Sequence, residues 1–252
     1  MTVIAHLSDV HIDDRRSADR TRAVMDYLDG LPYDLDAVLV TGDIADHGLP
    51  AEYELARELL TSRHPTLICP GNHDDRTAFR ESLLGLPGSA APINQVLRVA
   101  GCVIALCDSS VPGKDEGFLE DETLDWLETV LAGTSDRVLA GFHHPPAPLR
   151  MPFVDGIRQF GEERLAGLAR RHPHLAGFVC GHAHTAAATT FAGLPLLVAP
   201  GVVSTSRLPW EHRRHPDDHV YLEQPPALAF HVLDEDGRLT THYRTVTLAS
   251  AE

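Results

Sequence analysis

Five stretches of this chain end an apolar run in aspartate, asparagine or histidine: IAHLSDVHIDD at 4–14, AVLVTGDIADHG at 37–48, LICPGNHDD at 67–75, VLAGFHHPP at 138–146 and GFVCGHAHT at 177–185. They supply Asp9 and His11, Asp43, Asn72 and His73, His143, and His182 with His184. Carboxylate, amide and imidazole donors together suit divalent transition metals. The set exceeds the three or four ligands of a single zinc site. Asp43, the carboxylate at its strand end, is placed to bridge, so two ions about 3.5–4 Å apart are expected. In the pairs Asp9-x-His11 and His182-x-His184, an extended backbone would send both side chains to one side, within reach of neighbouring ions.

The ordered series D-x-H, G-D, G-N-H-D, H-H-P-P and G-H-x-H resembles the calcineurin-like metallophosphoesterase family. Through SDVH, GDIAD, CPGNHD, HHPP and GHAHT it is most similar to that family's bacterial branch of class III cyclic-nucleotide phosphodiesterases and glycerophosphodiesterases. The resemblance implies a four-layer α/β/β/α sandwich of two mixed sheets flanked by helices. It implies that Asp9, His11, Asp43 and His184 hold one ion, that Asp43, Asn72, His143 and His182 hold a second, and that Asp43 and a water or hydroxide bridge them. His73 would bind no ion but face the leaving or non-bridging phosphate oxygen, and Asp74 would orient it; these two are the expected catalytic residues. His144 would be structural or lie behind the ligands. The implied ions are manganese, iron or zinc, and the resemblance also suggests a homodimer, with the C-terminal hairpin or the loop at 207–225 as contact surface.

Two divalent ions outweigh the carboxylates Asp9 and Asp43, so the site is cationic although the chain carries a formal charge of −15. A water shared by the ions has its pKa lowered toward about 7, giving a hydroxide able to attack phosphorus in line. A protonated His73 can stabilise or protonate the departing alkoxide. The expected function is hydrolysis of a small phosphodiester, with 3′,5′-cyclic AMP or a related cyclic nucleotide as first candidate. A glycerophosphodiester or other small phosphodiester or phosphomonoester is the alternative. A metal-bound interaction scaffold is the non-enzyme alternative, disfavoured because a structural metal site needs no extra histidine beside Asn72.

The acidic balance argues against nucleic acid as partner, since phosphate backbones require a basic face. No apolar run is long enough to span a bilayer. Cys69, Cys102, Cys107 and Cys180 form no C-x-x-C pair, and polar motif residues begin by position 8, so a cytoplasmic protein without disulfides or a leader is expected.

These residues need elements to carry them. Apolar segments at 2–7, 36–41, 66–69, 102–107, 137–142 and 176–180 read as buried strands. Helical patterns lie at 17–29, 51–62, 75–84, 121–132 and 159–171, and the alternation implies a layered α/β domain whose strand ends converge on a common crevice. The last third reads differently. Strands at 189–200, 226–234 and 238–246, the last two joined by Glu235-Asp236-Gly237, suggest a second, more antiparallel sheet. One domain is expected over 1–252, with 204–225 a surface loop and 226–246 a C-terminal hairpin.

Other histidines have plainer readings. His6, His231 and His242 lie in strand-like runs as satisfied polar groups at sheet faces, and His47, His64, His172 and His174 lie near element ends. The polar run WEHRRHPDDH at 210–219 reads as a solvated loop.

Overall fold

The computed structural model describes residues 1–99, 101–211 and 219–248. Its first sheet has the order β15-β14-β1-β2-β3, built from β1 (Thr2–Leu7), β2 (Ala37–Thr41), β3 (Thr66–Cys69), β14 (Ala227–Leu233) and β15 (Leu239–Thr245). The second has the order β10-β11-β9-β7-β5-β4, from β4 (Gln95–Val99), β5 (Cys102–Leu106), β7 (Arg137–Gly141), β9 (Leu175–Cys180), β10 (Ala187–Phe191) and β11 (Leu194–Val198). In the first, β1, β2 and β3 are parallel and β14 and β15 add antiparallel on one side; in the second, β11, β9, β7 and β5 are parallel and the edge strands β10 and β4 antiparallel. Two-residue strands β6 (Gly117–Phe118) with β8 (Gln159–Phe160), and β12 (Thr205–Ser206) with β13 (Val220–Tyr221), form small outlying pairs.

Alternation along the strands explains the layering. Ile4, Leu39 and Leu67 of the first sheet meet Ile104, Leu106, Leu139 and Val179 of the second in a buried middle layer. Ala5, Leu7, Val38 and Val40 point the other way, onto Val24, Met25 and Leu28 of α1 (Arg15–Asp29) and Tyr53 and Ala56 of α2 (Pro50–Leu59). On the far side, Val103, Val138 and Phe178 pack against Leu127 and Leu131 of α4 (Asp121–Ala132) and Leu165 and Leu168 of α6 (Glu162–Arg171). The expected four-layer sandwich is therefore the observed architecture.

Several local expectations change. The helix expected at 75–84 is a three-residue turn, α3 (Arg76–Ala78), followed by a π-helical turn Phe79–Leu83, in which the Leu84 amide donates to the Phe79 carbonyl at 3.1 Å. Gln159 and Phe160 belong to a strand, and α6 starts only after Gly161, whose φ of 70° stops the extended run. A short helix, α5 (Pro152–Gly156), and strand β4 were not anticipated. The C-terminal strands make no separate sheet. The β14–β15 hairpin pairs along the free edge of β1, with Ile4 opposite His231, and β10 and β11 extend the second sheet; an unpaired β1 edge would leave its backbone groups unsatisfied. In the stretch 204–225, β12 and β13 pair and Pro209–Glu211 forms a 3₁₀ turn. Residues 212–218, within the run read as a solvated loop, lie outside the described residues.

Candidate metal centre

The parallel strands β1, β2, β3, β7 and β9 deliver their polar motifs to one rim of the sandwich. Asp43 Oδ2 stands 3.4 Å from His11 Nε2 and 3.3 Å from His143 Nε2. His11 Nε2 and His184 Nε2 face each other at 3.2 Å, and His184 Nε2 is 3.4 Å from Asp9 Oδ1. His182 Nδ1 lies 3.2 Å from His143 Nε2. Ligand atoms of Asp9, His11, Asp43 and His184 thus form one group and those of His143, His144 and His182 another, with Asp43 near imidazole nitrogens of both.

The backbone that achieves this is not extended. Asp9, His11, Asp43, His182 and His184 have φ of 54°, 42°, 50°, 68° and 51°, the left-handed region that costs non-glycine residues about 1–3 kcal/mol each. The same-side presentation expected from strand alternation is therefore corrected: each x-spaced pair is turned inward by left-handed residues just past its strand. Cross-links between loops hold the strain. The His11 amide donates to the Asp43 carbonyl at 2.9 Å, the Val203 amide to the Asp9 carbonyl at 3.0 Å, and the His182 amide to both Asp9 carboxylate oxygens at 3.2 Å. Gly71 lets the third loop approach, since a Cβ there would overlap the Asp43 carboxylate.

Partners behind the ring fix which nitrogens face inward. His11 Nδ1 donates to Asp46 Oδ1 at 2.7 Å, and His143 Nδ1 donates to the Thr41 carbonyl at 2.7 Å. His184 Nδ1 meets Ser204 Oγ at 2.8 Å. Lone pairs on the Nε2 atoms of His11 and His143 consequently converge with two carboxylates, and His184 Nε2 stands beside them. Burial works to lower the His11 pKa, but the Asp46, Asp43 and Asp9 carboxylates raise it to about 8. Burial likewise opposes the proton on His143, and Asp43 and Asp9 lift it to about 9. Burial and the neighbouring His143 push His182 well below its usual value. His182 Nε2 and Asn72 Oδ1 are buried and have no hydrogen-bond partner among the described residues. Buried polar atoms are nearly always satisfied, so two orphans on residues of this set are what a centre for cations requires. The donor set fits divalent metal.

The expected catalytic pair is arranged differently from expectation. His73 is exposed, its Nδ1 donates to the Asp46 carbonyl at 2.8 Å, and its amide donates to Asp43 Oδ1 at 3.1 Å. Among the described residues, Asp74 makes no carboxylate hydrogen bond to the His73 ring. Its carboxylate instead accepts from the amides of Ile44, Ala45 and Gly71 and from the Tyr53 hydroxyl, at 2.8–3.1 Å. Desolvation and the Asp43 charge push the Asp74 carboxyl up to about 6. It is a knot tying the loop after Asp43 to the loop before Asn72. The residue that holds His73 is Asp46, three positions after Asp43 in GDIAD, which the motif reading passed over. The His144 ring centroid lies 4.6 Å from that of His182, tilted by 49°, and its nitrogens meet Ser109 Oγ at 2.9 Å and the Asp115 carbonyl at 3.2 Å.

Two cavities border the clusters. One of about 180 Å³ is lined by Asn72, His73, Arg76, Ser110 and Gly113, and one of about 250 Å³ by His11, Asp13, Arg16, Asp46 and Leu222. Arg76, buried against Asp108 at 2.8 Å and donating to the Ser110 carbonyl, fixes the wall of the first.

Residues 2–186 match the model of the family described as calcineurin-like phosphoesterase. The chain is 34% identical over 248 residues to the glycerophosphodiester phosphodiesterase GpdQ of Enterobacter lignolyticus, covering 91% of this chain and 86% of that protein. It is 32% identical over 220 residues to a cAMP/cGMP dual specificity phosphodiesterase of Mycobacterium tuberculosis, covering 82% of this chain and 69% of that one. Among solved structures, a dimetal phosphatase from Danio rerio superposes with a TM-score of 0.71 at 18% identity over 98% of this chain and 99% of that chain, a likeness of fold. The ordered motifs, the four-layer sandwich and the matched family model place the chain in the calcineurin-like phosphoesterase family of dinuclear metal-dependent hydrolases.

Proposed function

We propose that this chain hydrolyses a small phosphodiester, with a 3′,5′-cyclic nucleotide such as cyclic AMP as first candidate. The observation that carries the reading is Asp43 Oδ2, 3.4 and 3.3 Å from imidazole nitrogens of two separate clusters. In this reading Asp9, His11, Asp43 and His184 hold one ion and Asp43, Asn72, His143 and His182 the other, manganese or iron with manganese. The bound ions supply Lewis acidity and an activated water. The chain's own part is to aim inward-facing Nε2 atoms through partners on Nδ1 and to present His73. Because the Asp46 carbonyl can only accept, His73 Nδ1 carries a hydrogen, which leaves Nε2 to meet substrate. Nε2 is a donor only when the ring is protonated, so His73 serves as acid in its charged form.

A glycerophosphodiester is a second reading, supported by the two separate cavities that border the cluster. Two distinct alcohol arms would each find a void, whereas the two ester oxygens of a cyclic nucleotide share one sugar. The activity in the name of the Enterobacter relative agrees with it. A homodimer belongs to the same proposal, and light scattering across micromolar concentrations tests it. The function is tested by turnover of bis(p-nitrophenyl) phosphate with added manganese, followed by cyclic AMP and glycerophosphodiesters at equal concentration. No turnover of any diester by protein carrying two ions would leave the scaffold reading in its place.

A further inference from the structure

A row of polar side chains crosses the otherwise apolar middle layer, one from each of four adjacent strands. Thr241 Oγ1 of β15 is 2.8 Å from His231 Nδ1 of β14; His231 Nε2 is 2.9 Å from His6 Nδ1 of β1; His6 Nε2 is 2.8 Å from Thr41 Oγ1 of β2. Thr41 Oγ1 then meets Ser8 Oγ at 3.0 Å, and Ser8 Oγ donates to the Thr41 carbonyl at 2.7 Å. That carbonyl is the one that accepts from His143 Nδ1. His6, Ser8, Thr41 and His231 are fully buried, beside Ile4, Leu39 and Leu233 of the same sheet face.

One arrangement of protons serves every contact. A backbone carbonyl can only accept, so Ser8 spends its hydrogen on the Thr41 carbonyl, and Thr41 must donate to Ser8 Oγ. Thr41 Oγ1 therefore accepts from His6, which fixes the hydrogen of His6 on Nε2 and leaves Nδ1 as acceptor. His231 must then donate from Nε2 and accept at Nδ1 from Thr241. Both rings are neutral, in agreement with burial lowering the pKa of each.

An apolar pair would fill the layer without needing five polar contacts to be met at once, so the row calls for a reason. Its inner end supplies one. Thr41 is the last residue of β2, and the next two, Gly42 and Asp43, lie in the left-handed region at φ of 84° and 50°. We infer that His6, backed by His231, is a positioning residue that clamps Thr41, and so aims both the carbonyl that orients His143 and the turn that presents Asp43. This rests on the reading of His143 and Asp43 as metal ligands.

The two amide replacements at position 6 separate the clamp from mere filling of the core. His6→Gln keeps a donor near the Nε2 position, toward Thr41; His6→Asn keeps a group near Nδ1, toward His231, and loses that donor. Cobalt(II) binding to the full chain, followed by visible absorption, reads ion affinity without turnover. Affinity is expected to fall about tenfold in His6→Asn, the lower end of the loss for partners behind metal ligands, and to stay within about twofold in His6→Gln, although both lower the melting temperature. Equal losses in the two variants, or none in His6→Asn, would overturn the clamp while leaving the metal centre standing. Wild-type protein that binds no cobalt would overturn the metal-centre reading and this one together. Independently, nitrogen-15 NMR of the ion-free wild type is expected to show hydrogen on Nε2 of both His6 and His231; the opposite tautomer in either ring would refute the proton order.

Discussion

Asp46 reaches two parts of the centre at once: its Oδ1 accepts from His11 Nδ1 at 2.7 Å, and its backbone carbonyl accepts from His73 Nδ1 at 2.8 Å. The carboxylate bonds His11 and stands 3.6 Å from His73 Nδ1, whereas the hydrogen bond to His73 is made by the main chain, so a substitution separates the two bonds. Asp46→Ala removes the partner of His11 and keeps the carbonyl. Ion affinity is expected to fall about 10–100-fold, the usual loss for a residue behind a metal ligand, with most of the turnover recovered at saturating metal. Equilibrium metal titration alongside activity checks this. Turnover that stays low at full occupancy would mean that the carboxylate also acts on His73.

Asp43 is the only candidate ligand that stands within 3.5 Å of both imidazole clusters. Asp43→Ala should abolish turnover and reduce metal content more than replacement of any other ligand, because both ions lose a donor. Elemental analysis of the purified variant decides it. Two ions per chain in that protein would show the bridge to be misassigned.

Asp74 leads to a different expectation. Its carboxylate accepts from three backbone amides and the Tyr53 hydroxyl, so Asp74→Ala leaves several inner donors unpaired. Each such donor costs about 1–3 kcal/mol, and a loss of at least about 3 kcal/mol in unfolding free energy is expected by urea denaturation. Tyr53→Phe, which removes one of the four, should cost about 1 kcal/mol. A variant of Asp74 that unfolds like the wild type but turns over slowly would return the residue to a role at His73.

What could be read beforehand follows from what local sequence encodes. Apolar runs closing on Asp, Asn or His marked the ends of β1, β2, β3, β7 and β9 because burial and polarity change there within one or two residues, and the same stops pointed to the candidate metal donors that the fold gathers at one rim. The left-handed turns at Asp9, His11, Asp43, His182 and His184 left no such trace, since the cross-loop hydrogen bonds that sustain them join residues up to 194 apart, as between Val203 and Asp9. The position of the β14–β15 hairpin depends on the free edge of β1, more than 200 residues earlier in the chain. Asp46, to which the sequence assigned no role, holds His73 in place of Asp74 for a related reason: adjacency to His73 in the sequence says little about which residue its ring can reach once Gly71 brings the loop against Asp43. His6 and His231 were legible as satisfied strand histidines, but their partnership across two strands was not.

That histidine pair also sets an acid limit. Burial, with the neighbouring His231 for His6, holds the His6 pKa well below its usual value, and burial lowers that of His231 to about 3. In the unfolded chain both titrate near 6.5, so the unfolded state binds protons that the folded state refuses. The stability is complete above about pH 6.5 and is lost as pH falls from there toward 3, by about 1.4 kcal/mol per pH unit for each ring. Urea midpoints between pH 7 and 5 with a chelator present should show this slope, and His6→Leu/His231→Leu should flatten it. An unchanged slope would mean that the pair is already protonated in the fold.

Catalysis and metal binding are expected to separate at His73. Its ring binds the Asp46 carbonyl through Nδ1, and its amide, not its imidazole, contacts Asp43. His73→Asn should therefore leave both ions bound while cutting turnover about 10²- to 10⁴-fold, the range for one acid–base group. The loss should depend on the leaving group. p-Nitrophenolate departs without a proton, whereas the ribose or glycerol oxygen of a natural diester is strongly basic and needs one from the charged ring. Bis(p-nitrophenyl) phosphate hydrolysis should accordingly fall less than hydrolysis of cyclic AMP or a glycerophosphodiester. Equal losses on both kinds of substrate would assign His73 to holding the phosphate, and loss of an ion from the variant would make it a ligand.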